Sequence, residues 1–103
     1  MEAPSIIDTS AFLEGRRGLL TVFTLIEHPY SAKQGVSVIY PSKADYLKAI
    51  EVSDKLYHEG TPVGAVDVLI ASIALNRDLS VVTQDKDFEK INAVERKLKI
   101  EFI

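Results

Sequence analysis

Apolar positions in this chain fall in short runs that alternate between two periods. Pro4-Ser5-Ile6-Ile7 reads as a buried strand running into Asp8. Leu19–Phe23 is rich in β-favouring residues and predicts a second strand, Val36–Tyr40 a third, Leu79–Thr83 a fourth and Ile100–Ile103 a fifth. Helical signals lie between them. Ser10 is placed to cap a short helix through Ala11–Glu14, with Gly15 or Gly18 as its stop. Thr24-Leu25-Ile26-Glu27 opens another turn in the T-x-x-E pattern of a capping box, and Pro29 keeps that helix short. Pro41-Ser42 opens the longest helix, about Lys43 to Glu59. The spacing puts Tyr46, Leu47, Ile50, Leu56 and Tyr57 on its apolar side and leaves Asp45, Glu51, Asp54 and Glu59 to solvent. Ala65–Asn76 is apolar almost all round, as a helix buried between layers should be, and Asp67 is its only charged residue. Asp87 to about Lys97 predicts the last helix.

This alternation argues for a three-layer α/β/α fold around a mostly parallel five-stranded sheet. In such sheets chemistry gathers beyond the carboxyl ends of the strands. Asp8 and Asp85 stand at two such ends, and Glu27 and Asp67 fall in the first turns of helices.

Composition narrows what that edge can do. With 103 residues, one domain over 1–103 is expected. The absence of cysteine excludes thiolate zinc sites and cysteine nucleophiles, and two histidines are too few for a histidine-based metal site. No apolar run approaches the roughly 20 residues that span a bilayer. The start MEAPSIIDTS lacks the basic and long apolar parts of a leader, so a cytoplasmic address is expected. A net charge of −3 disfavours a broad electrostatic grip on nucleic acid, but not binding at an acidic site whose cation reverses the local sign.

Each acid has a plain alternative. Asp8 suits a cap or an Asx-turn, Glu27 the return half of the capping box, and the Asp85/Asp87 pair a turn. Asp67 is harder to explain that way, because a carboxylate among Val66, Val68, Leu69 and Ile70 needs a partner or a cation. Taken together, carboxylates at one sheet edge repel, and a divalent cation relieves the repulsion. All-oxygen donors favour Mg²⁺ or Mn²⁺, ions that help cleave phosphodiesters. Phe88 is expected to anchor the Asp85–Asp87 turn in the core. The four tyrosines suit core or dimer packing better than base stacking.

Four segments resemble the motifs of PIN domains, in the family's order: Ile7-Asp8-Thr9-Ser10, Thr24-Leu25-Ile26-Glu27, Gly64–Ala71 (GAVDVLIA) and Thr83–Phe88 (TQDKDF). The resemblance implies a parallel five-stranded PIN fold and a Mg²⁺- or Mn²⁺-dependent ribonuclease site. Asp8, Glu27, Asp67 and Asp85 match its acidic quartet and Asp87 its additional acid. Thr9, Ser10 and Thr83 match supporting hydroxyls. Many small members are VapC-type toxins, usually dimers, silenced by an antitoxin protein. A homodimer or higher homo-oligomer and an antitoxin partner are therefore expected beside the RNA substrate, with no membrane. Arg16, Arg17 and Lys86 are the nearest cations for an RNA backbone, and Lys86 also sits between two acids whose repulsion it would lower. Asp8 and Glu27 are only 19 positions apart, which makes this a shortened variant with little room for helices around Glu27. The competing expectation is a non-catalytic PIN module that binds RNA or a protein.

Overall fold

The computed structural model describes residues 4–103. Five strands, β1 (Ser5–Ile7), β2 (Leu19–Thr21), β3 (Ser37–Ile39), β4 (Ser80–Thr83) and β5 (Lys99–Phe102), form one sheet in the order β3-β2-β1-β4-β5. Every pairing is parallel. The central strands β1 and β4 are buried on both faces, with Ile6, Ile7, Val81 and Val82 as their apolar residues. Ile6 and Val81 point into one apolar layer, Ile7 and Val82 into the other.

Parallel strands need crossovers, which the helices supply. Helix α1 (Thr9–Leu13) covers Ile7, Leu20 and Val82 with Ala11 and Phe12. Helices α3 (Lys43–His58), α4 (Ala65–Arg77) and α5 (Asp87–Val94) cover the opposite face, with Val52 and Leu56, Val68 to Ala74, and Phe88 and Ile91 as their buried residues. Phe88 is fully buried, a gain of about 1.5–3 kcal/mol, and anchors the start of α5 as the sequence suggested. Gly18 is needed where it stands: a Cβ there would lie 2.7 Å from the Ile7 side chain and 2.9 Å from the Ser5 carbonyl. Among the described residues no helix is long and apolar enough to cross a membrane.

Several expectations are corrected. β2 stops at Thr21, and Val22 and Phe23 begin α2 (Val22–Glu27), because packing overrides their β preference. Pro29 does end that helix, and residues Pro29–Gln34 continue as a 3-10 turn. The apolar side of α3 is largely reversed. Val52 and Leu56 face the core, while Tyr46, Leu47, Ile50 and Tyr57 are exposed. Tyr30 and Tyr40 are exposed too, so no tyrosine serves the core.

Asp45, expected in solvent, is 1% exposed. It closes a capping box with Ser42, whose N–H donates to Asp45 Oδ2 at 2.8 Å. It also accepts from Asn76 Nδ2 at 2.9 Å and Arg77 Nη2 at 2.6 Å, fastening the start of α3 to the end of α4. Burial alone would raise its pKa, but the Ser42 N–H, Asn76 and Arg77 together hold it below the usual carboxylate range.

Candidate functional site

Strand order reverses between β1 and β4. The chain leaves β1 toward one edge of the sheet and leaves β4 toward the other. Their carboxyl ends lie side by side, and Asp8 and Asp85 follow them directly or nearly so. α4 enters the same region with Asp67 in its first turn.

Carboxylate oxygens of Asp67, Asp85 and Asp87 lie within 4.8 Å of one another. All three residues are half-buried. The Asp67 pKa is pushed up to about 7, first by burial, then by the charges of Asp8 and Asp85, a hydrogen bond with Asp85 and the charge of Asp87. Asp8 thus belongs to the same acidic field.

Hydroxyls set the orientation of these acids. Thr83 Oγ1 accepts the Asp85 N–H at 2.9 Å, so its own proton goes to Asp8 Oδ2 at 2.8 Å. Ser10 Oγ accepts the Gln84 N–H at 3.1 Å and donates to the same Asp8 oxygen at 3.4 Å. Asp85 Oδ1 accepts the Asp87 N–H at 2.9 Å, which fixes the turn into α5. The turn reading of TQDKDF and the cluster reading therefore hold together. Ser10 is not the cap expected of it. The cap position of α1 is Asp8, whose side chain makes no cap bond because it is engaged with Thr83 and Ser10.

Glu27 stands apart. It is exposed and is the last residue of α2, not in its first turn. The expected capping box does not form, because α2 starts at Val22 and places Thr24 inside the helix. Thr24 Oγ1 instead meets Thr9 Oγ1 at 2.8 Å, and Thr9 Oγ1 also reaches Glu27 Oε1 at 3.4 Å. Thr24 is the polar neighbour that sequence reasoning missed. Its i, i+3 spacing from Glu27 was the available signal, since residues so spaced share a helix face.

The cations are held by other groups. Arg16 pairs with Glu101, and Arg17 stacks on Phe12 at 4.7 Å. Lys86 does not bridge its flanking aspartates: its Nζ sits 4.6 Å from the Phe102 ring centre and 3.8 Å from Glu89. Lys90 is the cation beside the acids, 3.2 Å from Asp87.

The raised Asp67 pKa has a measurable consequence without metal. The folded protein keeps a proton on Asp67 that the unfolded chain releases near pH 4. Stability from this group is full below about pH 4 and is lost as pH rises to about 7. Asp45 and Glu95, whose pKa values are lowered, act in the opposite sense and only toward the acid end of that window. With EDTA present, urea unfolding should show the protein more stable at about pH 5 than at pH 8, by on the order of 1–2 kcal/mol after solvent screening. Asp67→Asn should flatten that difference; an unchanged slope in the variant would assign it to other groups.

Comparison with known proteins gives a consistent picture. A PIN domain family model matches residues 28–94, a span that includes Asp67, Asp85 and Asp87 and begins just after Glu27. Among solved structures, the fold is similar to VapBC-5 from Mycobacterium tuberculosis, a member of the VapBC family of toxin-antitoxin systems. That likeness has a TM-score of 0.78 and 23% identity over 99% of this chain and 98% of the other. It is also similar to DNA-bound VapBC from Salmonella typhimurium, with a TM-score of 0.75 and 22% identity over 98% of each chain. VapBC-1 from nontypeable Haemophilus influenzae has a TM-score of 0.75 and 19% identity, over 95% of this chain and 96% of that one. Curated protein sequences give no match.

Proposed function

Because the chain belongs to the PIN domain family, whose model spans more than half of it, we propose that it is a Mg²⁺- or Mn²⁺-dependent endoribonuclease. Its acids are Asp8, Glu27, Asp67 and Asp85, with Asp87 beside them. The observation that carries this reading is the convergence of three carboxylates within 4.8 Å, one of them with its pKa pushed up to about 7 by burial and then by the charges of its neighbours. That is the electrostatic state a divalent cation relieves, and the all-oxygen donor set fits Mg²⁺ or Mn²⁺.

Asp67, Asp85, Asp87 and Asp8 would hold the ion. When bound, it supplies activation of water and neutralisation of charge at the scissile phosphate. The chain's own residues prepare for this. Thr83 and Ser10 occupy one oxygen of Asp8 and so aim the other. The Asp87 N–H fixes the Asp85 carboxylate. Asp67 must give up its proton before it can serve as a ligand. Water adds to phosphorus and the P–O3′ bond breaks, leaving a 5′-phosphate and a 3′-hydroxyl. Arg16, Arg17 and Lys86 are the candidate contacts for the RNA backbone, once released from their partners within the chain. The likeness to VapBC structures supports a toxin role, with an antitoxin protein as partner and the cytoplasm as the place of action.

Purified protein should bind Mn²⁺ in a calorimetric titration and cut single-stranded RNA with Mn²⁺ or Mg²⁺, with EDTA abolishing the cutting. Absence of binding at millimolar metal would overturn the reading. Metal binding without cleavage would favour a non-catalytic PIN module, a reading supported by one observation: Glu27 lies outside the three-carboxylate cluster.

A further inference from the structure

One buried hydroxyl in this chain is left unused. Among the described residues, Thr21 Oγ1 is the one buried side-chain oxygen or nitrogen without a hydrogen-bond partner. The residue is 1% exposed. A buried, unpaired hydroxyl costs stability, and Val would fill nearly the same space without that cost. Thr21 does not do the ordinary work of its position either. It stands at the cap of α2, where a threonine oxygen usually accepts a backbone N–H, and its side chain makes no such bond.

The sheet register identifies what this hydroxyl lies beside. Ile6 pairs with Leu19 across β1 and β2, and Ile7 with Val82 across β1 and β4. Asp8 prolongs β1 in extended backbone, and its N–H still donates to the Val82 carbonyl at 2.9 Å. Counting on from those pairs, Asp8 is level with Thr21 on one side and with Thr83 on the other. Neighbouring strands lie about 4.7–4.9 Å apart. Side chains alternate along a strand, and Ile7, Leu20 and Val82 all belong to the layer under α1. Asp8, Thr21 and Thr83 therefore face the opposite layer, from which α4 brings Asp67. Two buried threonines thus flank one carboxylate on one face of the sheet. Thr83 is spent on it, donating to Asp8 Oδ2 at 2.8 Å, the oxygen that Ser10 also reaches. Both of these bonds leave Asp8 Oδ1 free.

We propose that Thr21 is a positioning residue of the acidic site, whose hydroxyl donates to Asp8 Oδ1 when the site holds its cation. The proposal rests on the reading of these acids as a metal site. A carboxylate oxygen has two lone pairs, so Oδ1 can face a cation and accept a proton from Thr21 together. Bonds from a hydroxyl to an ionised acceptor are the stronger kind, and partners of this type hold a ligand in its direction. Asp8 would then be gripped from both neighbouring strands, by Thr83 on β4 and Thr21 on β2. The metal-free protein carries the cost of the unpaired hydroxyl, and the loaded site recovers it.

Two substitutions separate the hydroxyl from the methyl group beside it. Thermal melts of the whole protein in EDTA read stability, and calorimetric titration with Mn²⁺ reads affinity. Thr21→Val should melt no lower than the wild type, and as much as about 8 °C higher. Its Mn²⁺ affinity should nevertheless fall about tenfold or more. Thr21→Ser should show the reverse: a lower melting temperature from the lost methyl, with Mn²⁺ affinity close to that of the wild type. A Thr21→Val protein that melts well below the wild type would show that the hydroxyl already serves the fold, and would overturn the proposal. So would Mn²⁺ binding as weak in Thr21→Ser as in Thr21→Val. Wild-type Mn²⁺ binding that Thr21→Val leaves unchanged would overturn this proposal alone. Absence of Mn²⁺ binding by the wild type would overturn the nuclease reading and this proposal with it.

Discussion

Asp67→Asn should abolish RNA cleavage, by about 10²–10³-fold or more, the range seen when one group that stabilises developing charge is removed. Asn keeps the shape of the side chain but cannot neutralise a cation. Asp67 belongs to the three-carboxylate cluster and also feels Asp8, so its loss breaks the acidic field at its centre. Mn²⁺ affinity should fall with activity. The fold should not suffer, because the variant no longer holds a carboxylate against the repulsion of three neighbours. Glu27→Gln provides the contrast: Glu27 is exposed and tied to the site only through Thr9, so its removal should cost less. Cleavage of a labelled single-stranded RNA, followed over time at fixed Mn²⁺, measures both variants. A fully active Asp67→Asn protein would remove the acidic cluster from the mechanism. Equal losses in the two variants would show that Glu27 closes onto the cluster when metal and RNA are present.

The largest effect on stability should come from a residue with no part in that chemistry. Asp45→Ala is expected to cost about 3 kcal/mol or more at neutral pH, as removing one partner of a buried ion pair does. The substitution removes the return half of the Ser42 capping box. It also leaves the Arg77 guanidinium and the Asn76 amide without their acceptor. Arg77 keeps some exposure and a bond to the Tyr40 carbonyl, which limits the loss. Asp45→Asn retains an acceptor for the Ser42 N–H and should cost less. Urea denaturation at about pH 7 separates the two. A cost for Asp45→Ala below about 1 kcal/mol would mean that the α3–α4 junction is held by apolar packing alone.

Periodicity revealed the parallel sheet because each of the first four strands carries an adjacent pair of Ile, Val or Leu, and the stretches between strands carry helix signals. The acid positions at strand ends were legible for the same reason. What stayed hidden was decided by contacts between distant segments. Val22 and Phe23 favour strands locally, yet α2 starts there, and this one shift moves Glu27 from a first turn to a last one. In α3 two stripes compete, one with Tyr46, Leu47, Ile50 and Tyr57, the other with Asp45, Val52 and Leu56. The first is larger and more apolar, so hydropathy favours it. The second wins because Asp45 finds Asn76 and Arg77 some thirty residues on, a partnership that spacing does not announce. Lys86 likewise follows the aromatic ring of Phe102 rather than the acids beside it in sequence.

The pairing of β1 with β4 has a consequence for how the protein comes into being. Asp8 is oriented by Thr83, and Ser5 bonds to Ser80 at 2.7 Å, each across 75 positions. Closing so long a loop is an early entropic cost that local helix formation does not share. During synthesis, a chain that has left the ribosome only through α3 holds Asp8 but neither the strand that orients it nor the other aspartates of the cluster. The acidic pocket therefore assembles only after β4 has docked beside β1. On the nuclease reading, no cutting is expected from a nascent chain in which β4 has yet to be made.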